Sequence, residues 1–453
     1  MAANDKPNVV YILTDQWRAK ATGYNGDPNA VTPHIDRLAA ESLNFANAIG
    51  TSPVCTPARA ALLTGRFPTT TGMFMNDVPL APTEQSMGKV FKAGGYDTAY
   101  IGKWHVDGHG RAGYIPPARR QGFDYWKVLE CTHDYQNSQY YDGDDPEIKT
   151  WPGYDAFAQT EDACAYINEG AGNPFFLVLS LGPPHFPHDN APREFQDMFA
   201  PEAITFSPNV GFDDPACETF TRQEAAGYYA HIAALDQCVE NIVEVLKKNA
   251  LEENTILIFT SDHGEMLGSH GKKPFAKQIF WDESCRVPFL LRYPPLTSGR
   301  QNRKVMTPLG TVDIMPTLLA LCGLEIPAPV EGDDLSACIR GQVELEEHAA
   351  LYMSVSPFSE RNYLDPAYRA LRTNRHTFVW TSEDAYYLFD DIEDPHQLHN
   401  LADASAAAAV QAELKKLLAR QLEKIGDPFR TGESYLEKWK YAVDEFGNVP
   451  YSR

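Results

Sequence analysis

The chain has 453 residues, 43% of them hydrophobic and 22% charged, which is the profile of a folded protein and excludes a disordered or fibrous one. Its 61 acidic and 39 basic residues leave a formal net charge of −22, which argues against nucleic acid or an anionic membrane as partner, since either needs a basic face. No run approaches the ~20 apolar residues of a membrane span, and the length suits one large domain with a smaller one attached.

The opening, MAANDKPNVVYILTDQ, lacks the charged, apolar and small-residue order of a signal peptide. A cytoplasmic location is therefore expected, or a periplasmic or secreted one if a leader has been removed. Within it, residues 8–14 (NVVYILT) form a continuous β-branched run, as for a strand buried on both faces. Residues 32–45 (TPHIDRLAAESLNF) read as a helix, with Thr32 as N-cap, Pro33 in the first turn, and Ile35, Leu38, Ala39 and Leu43 on one face. Further strands are expected at 97–101, 175–181, 255–260 and 287–293, with a long amphipathic helix over 222–249 between two of them. Alternation of this kind predicts an α/β fold in which helices flank a large, mostly parallel sheet.

After about residue 340 the texture changes. Four short strand-like segments (AALYMSV, YRALRT, HTFVWTS and AYYLFDD) are followed by an amphipathic helix over 405–426. The expected division is a catalytic α/β domain at 1–340 and a C-terminal α+β subdomain at 341–453, the latter a small antiparallel sheet with a packed helix. The eight cysteines stand singly at 55, 131, 164, 217, 238, 285, 322 and 338, with no Cys-x-x-Cys pair, so neither a thiolate zinc site nor a redox motif is expected. Cys238 and Cys322 sit in apolar helical patterns and read as core fillers.

Ligands of open α/β sheets bind beyond the carboxyl ends of the strands, and four such ends carry polar clusters here. Asp15 and Gln16 follow the first strand, Lys103 and His105 follow the 97–101 strand, His185 and His188 follow the 175–181 strand, and Asp262 and His263 follow the 255–260 strand. One strand-end aspartate has a bland explanation in helix capping, but four clusters at equivalent ends do not. Asp15, Gln16 and Asp262 offer oxygen ligands suited to a hard cation such as Ca²⁺ or Mg²⁺, while the imidazole of His263 leaves room for Mn²⁺ or Zn²⁺. Lys103 and His105 share a side if their segment is extended. Cys55 and Arg59, four apart in VCTPARAALLTG, share a face if theirs is helical. Taken alone, Cys55 reads as a small buried hydrophobe.

CTPARAALLTG resembles the Cys-x-Pro-x-Arg signature of the type I sulfatases, in the alkaline phosphatase superfamily, and the similarity runs along nearly the whole chain. ILTDQ, TPHIDRLAAESLNFANA, GYDTAYIGKWH, PPHFPH, FTSDHGEMLGSHG, RVPFLLRYP and YYLFDDIEDPHQLHNLA occur in the family's order. The resemblance implies an alkaline-phosphatase-like sandwich that hydrolyses a sulfate monoester to alcohol and sulfate. Cys55 would be oxidised to formylglycine by a formylglycine-generating enzyme, and its hydrated aldehyde would be the nucleophile. The metal ligands carry over onto Asp15, Gln16, Asp262, His263 and the modified Cys55, holding one divalent cation, calcium first, with magnesium and manganese as alternatives. Arg59 would hold the formylglycine hydrate, and Lys103 and Lys277 would bind the sulfate oxygens. His105 would act as base in the release of sulfate, and His185 would protonate or hydrogen-bond the leaving oxygen.

Lys272 and Lys273 are the alternatives to Lys277, and His188 and His270 read as either substrate-contacting or structural. Many sulfatases carry Asp-Asp and Asp-Asn pairs where this chain has Asp15-Gln16 and Asp262-His263. The Gln and His variants also occur in sulfatases, including choline-sulfatase-like ones, and in the related phosphonate monoester hydrolases that use the same nucleophile. Those hydrolases lack the paired Lys and His of GKWH, so a sulfate ester is favoured, with the phosphonate monoester hydrolase or phosphodiesterase as the alternative and a two-metal phosphatase behind it. A carbohydrate sulfate leads over a small aryl or choline sulfate, by family frequency. Trp17, Arg18, Trp104, Asp107, His109, His133 and Asp134 are the expected cleft residues, while the oligomeric state is not readable.

Overall fold

The first strand, Asn8–Asp15, is buried along its whole length. Its alternate residues enter two different cores: Val9, Tyr11 and Leu13 on one face, Val10 and Ile12 on the other. This is why the segment is apolar without interruption, since a strand covered on both sides has no polar face to show.

The computed structural model describes residues 6–170, 173–299, 303–343, 345, 347–358 and 365–450. A ten-stranded sheet runs in the order Arg303–Val305, Leu43–Phe45, Phe289–Arg292, Thr255–Ser261, Asn8–Asp15, Phe175–Pro184, Asp97–Lys103, Tyr125–Leu129, Gln139–Asp142, Lys149–Thr150. The five central strands, from Thr255–Ser261 to Tyr125–Leu129, are all parallel. Phe289–Arg292 pairs antiparallel with Thr255–Ser261, and Gln139–Asp142 antiparallel with Tyr125–Leu129. The parallel centre aligns the ends of four strands, so that Asp15, Lys103, the residues after Pro184 and those after Ser261 emerge together.

The helix Pro215–Lys248 packs on one face of the sheet. Asp214 caps it by accepting from the Cys217 amide (2.8 Å), and Pro215 opens it where no amide hydrogen is needed. Cys55–Thr64 lies on the opposite face against Thr311–Leu321, and all ten of its residues are buried. Ala58, Ala60 and Ala61 leave room for that close packing, and Gly65, at φ +63°, ends the helix in the left-handed region.

The expected helix over 32–45 is shorter than its pattern. Pro33–Ala40 is helical, and Leu43–Phe45 turns back as a strand between Phe289–Arg292 and Arg303–Val305. The apolar Leu43 that continued the helical stripe is in fact in the sheet. Thr32 does not cap through its side chain; its hydroxyl accepts from the Gly23 amide (2.8 Å) and donates to Asp36 (3.0 Å). The four C-terminal segments form an antiparallel sheet, Ala350–Ser354, Tyr368–Arg372, His376–Thr381 and Tyr386–Asp390, with the helix Ala408–Lys424 packed against it. Among the described residues no helix is long and apolar enough to cross a membrane, and all eight cysteines are free.

Candidate active site

Arg59 organises the site. One helical turn after Cys55, its Nε donates to Asp262 Oδ2 (3.0 Å) and its Nη2 to Asp15 Oδ2 (3.1 Å). Its Nη1 reaches the Lys103 carbonyl (2.9 Å) and Ser180 Oγ (2.8 Å), so one guanidinium ties together residues of, or just after, four neighbouring strands. Each aspartate thus gives its Oδ2 to Arg59. The Oδ1 atoms of Asp15 and Asp262 lie 3.6 and 3.7 Å from His263 Nε2.

His263 Nδ1 lies 2.9 Å from the Gly264 carbonyl, which can only accept, so Nδ1 carries the hydrogen and Nε2 presents a lone pair to the cluster. Metal-ligating histidines are oriented in the same way. Ligand atoms of Asp15, Cys55, Asp262 and His263 all lie within 4.8 Å of one another, and all four residues are buried. Gln16 joins them through its Oε1, which accepts from Lys277 (3.2 Å), while its Nε2 is held by Glu265. Hard oxygens with one imidazole, and Arg59 and Lys103 already opposing the carboxylate charge, fit a divalent cation.

Cys55 Sγ sits at the centre, 3.2 Å from His263 Nε2, 3.6 Å from Asp15, 3.7 Å from Lys277 Nζ and 3.9 Å from Lys103 Nζ. Burial pushes its thiol well up, and Asp15 adds to this against the pull of the two lysines. Burial alone would raise the Asp15 carboxyl, but the charges of Lys103 (2.7 Å away) and Arg59 outweigh it and hold that group well below the usual range. Lys103 is pushed up by the same pairing, against the effect of its own burial.

His185 donates from Nδ1 to the Phe186 carbonyl (2.8 Å) and accepts at Nε2 from Lys277 (3.0 Å). Burial and then Lys277 hold it well below the ordinary histidine value, so it is neutral. His105 Nε2 pairs with Asp77 Oδ1 at 3.0 Å, and burial lowers its pKa to about 4 despite that partner. The backbone is not extended at His105 (φ +58°), so it does not share a side with Lys103 by strand alternation. Gln16 also adopts a positive φ, +66°. Such conformations cost of order 1–3 kcal/mol each and collect at working sites.

The structure therefore brings Cys55, Arg59, Lys103, His185, Lys277, Asp15, Gln16, Asp262 and His263 into one buried cluster, with His105 at its edge, tied through its carbonyl to Thr56 Oγ1 (2.7 Å). Of the three lysines considered, Lys272 pairs with Asp365 (2.6 Å) and Lys273 is exposed, which leaves Lys277. Several expected cleft residues are elsewhere. Trp17 and Trp104 are interior, Trp17 donating to the Ala21 carbonyl and Trp104 packing edge-on to Tyr100. Asp107 is buried on Arg119 (2.7 Å), and Arg18 lines a different cavity. Asp134 is exposed, and His109 reaches back to Asp107. His133 does reach the site, stacked on His185 with ring centroids 4.7 Å apart. His188 pairs with Glu224 (2.9 Å), and His270 stacks on Trp281 (3.8 Å).

Three contributors escaped the sequence reading. Ser180 hydrogen-bonds both Arg59 and the Lys103 carbonyl, Asp77 holds His105, and Glu265 holds Gln16. Glu265 closes the SDHGE motif, and its charge inside a buried strand end was the available signal.

The Sulfatase family model matches residues 7–324, and the model for the C-terminal region of N-sulphoglucosamine sulphohydrolase matches 268–424. An ulvan-active sulfatase of Formosa agariphila is 48% identical over 98% of this chain and 87% of its own. A solved structure from Bacteroides thetaiotaomicron, titled for the metabolism of multiple glycosaminoglycans, superposes with a TM-score of 0.83 at 27% identity, covering 98% of this chain and all of that one. A phosphonate monoester hydrolase of Agrobacterium radiobacter shares the fold at a TM-score of 0.75 and 22% identity, covering 93% and 96%.

Proposed function

The chain belongs to the sulfatase family and is a sulfuric ester hydrolase; from that premise we propose that its substrate is a saccharide sulfate, cleaved at Cys55. The observation that carries the reading is the convergence on Cys55 Sγ of two lysines, an imidazole and an aspartate, all within 3.9 Å. The ulvan-active relative supports the saccharide class.

In this reading Cys55 is converted to formylglycine by a formylglycine-generating enzyme. The unmodified thiol, held protonated by burial, is a poor nucleophile. When present, the aldehyde hydrate supplies the attacking oxygen, and a divalent cation, calcium by its oxygen donors, lowers that oxygen's proton affinity. Asp15, Gln16, Asp262 and His263 would hold the cation. Arg59 holds both carboxylates by their Oδ2 atoms, and the Gln16 and His263 amides hold Asp262 Oδ1, so the Oδ1 atoms need no rearrangement. Lys103 and Lys277 would take the sulfate oxygens, in a site dry enough for each charge to count. The proton for the departing oxygen is held by the Lys277–His185 pair, whose imidazole is fixed on the Phe186 carbonyl. His105 is neutral at pH 7 and can accept a proton in the release of sulfate.

Intact-mass analysis is expected to find the Cys55 peptide about 18 Da lighter than encoded, the difference between thiol and aldehyde. Cys55→Ala should abolish turnover of a sulfated oligosaccharide while leaving the thermal midpoint nearly unchanged. Faster turnover of an aryl phosphonate than of any sulfate ester would reverse the substrate assignment in favour of the phosphonate monoester hydrolase.

A further inference from the structure

A cavity of about 450 Å³ is lined by none of the cluster residues. Its wall carries Arg18, Lys20, Arg286 and Lys304 against a single carboxylate, Asp27. In a chain with a net charge of −22 that concentration of cations runs against the overall balance. Asp27, which also accepts from the Tyr229 hydroxyl (2.6 Å) and the Asn29 amide (2.8 Å), offsets only part of it, acting on Arg18. Arg286 and Lys20 are countered from behind by Asp282 (2.7 Å) and Glu283 (4.0 Å), neither of which lines the cavity. Arg18 and Lys304 make no ion pair among the described residues.

Arg18 is the telling side chain. The residue is only 7% exposed, yet among the described residues its guanidinium makes one long hydrogen bond, Nη2 to Tyr229 Oη at 3.4 Å. Its Nε is buried with no hydrogen-bond partner among the described residues. A guanidinium has five donor hydrogens in a fixed fork, and burying one unpaired is costly. Its backbone is firmly placed: the Tyr228 hydroxyl accepts from the Arg18 amide (3.0 Å) and donates to the Gln16 carbonyl (3.0 Å). The main chain of Arg18 is therefore fixed, and its side chain lines the cavity.

We propose that this cavity is a second oxyanion-binding site, separate from the nucleophile, which takes a sulfate or carboxylate group on the Arg18 fork with Lys20 and Lys304 as flanking charges. Arginine forks match both groups bidentately. The volume falls in the range of small-molecule sites, so the oxyanion can arrive on a sugar as well as free. The inference does not depend on the nature of the nucleophile.

Calorimetric titration tests it, using sodium sulfate, glucose 6-sulfate and unsulfated glucose as probes. The starting protein is the full chain carrying Cys55→Ala and Lys103→Gln, which cripples anion binding at the cluster. Expected is residual binding of one sulfate-bearing probe per chain and none of glucose. Adding Lys20→Gln with Lys304→Gln should weaken that binding about tenfold or more, as for the loss of a charge-assisted contact. Arg18→Gln should weaken it by at least as much; should that variant misfold, the lysine pair, whose side chains are solvent-accessible, still decides. Tighter binding of glucose 6-sulfate than of sulfate assigns the site to saccharide-borne groups, and the reverse assigns it to the free ion. Absence of residual binding, or residual binding indifferent to Lys20, Lys304 and Arg18, overturns the proposal.

Discussion

Arg59 is a cation whose removal strands buried Asp262 and leaves buried Asp15 with Lys103 alone. Asp15 and Asp262 both rest on it, and neither can reach water. Breaking a buried pair by deleting one partner costs about 3–5 kcal/mol, so Arg59→Met is expected to lower the unfolding free energy by at least that much in chelator. Added calcium, which would neutralise the same carboxylates, should restore part of the loss; denaturant titration with and without the ion checks both. His231 poses the opposite problem. It is fully buried, accepts from Tyr154 (2.7 Å), lies 3.2 Å from the Pro187 carbonyl, and has its pKa pushed down by burial to about 3. The unfolded chain takes up this proton near pH 6.5 and the native protein does not. Stability therefore falls as pH drops from about 6.5 towards 3, by about 1.4 kcal/mol per unit for this group. His231→Gln should flatten the measured slope by that amount over the same window. The residues legible from sequence were those at the ends of apolar strand runs, where a charge has no place in a core. Ser180 and Asp77 were not legible, because a serine within a strand and an aspartate in a loop have ordinary reasons to be there.

Gly227 shows where element-level rules reverse. It lies in the middle of Pro215–Lys248, where propensity alone says that alanine would gain about 1 kcal/mol. A Cβ there would land on the His188 carbonyl oxygen, with the carbonyl carbon at 2.8 Å and the His188 Cβ at 2.9 Å. Backbone cannot rotate aside as a side chain can, so packing wins. Gly227→Ala is expected to cost about 1–3 kcal/mol and to shift the loop carrying His185 and His188, lowering turnover. A midpoint that rises instead would show the loop free to move. The long helix and four of the five central strands were legible because their periodicities are unbroken. Tyr125–Leu129, Gln139–Asp142 and Arg303–Val305 were missed. They lie towards the sheet edges, and only some of their residues are buried, so the apolar run that marks a central strand is absent. The strand at Leu43–Phe45 was hidden by a leucine that satisfied the helical stripe as well as the sheet.

At the scale of the whole molecule, the question is whether the C-terminal sheet stands alone. Its strands divide their side chains between two cores that both contain residues of the first half. Leu351, Met353, Leu371 and Phe378 join the cluster holding Val9 and Tyr11, while Tyr352, Tyr368 and Val379 pack with Ile49 and Phe280. Arg372, buried at the end of Tyr368–Arg372, joins Asp391, just past the last strand of the same sheet, to Asp282, which opens the short helix Asp282–Cys285 just after the segment carrying Lys277. Burial works to raise the Asp282 carboxyl, but Arg372 and Arg286 hold it at about 2. A pair so placed makes the sheet and the site segment fold as one. Arg372→Ala leaves two half-buried carboxylates facing each other, with only Arg286 still on Asp282, so a loss of about 3 kcal/mol is expected. Calorimetry of the unaltered chain should give a single transition whose van't Hoff and calorimetric enthalpies agree. The variant should unfold at lower temperature, still in one step, because the shared apolar cores remain. Two resolved transitions in the unaltered chain would mean that the sheet is an independent unit and that Arg372 only docks it.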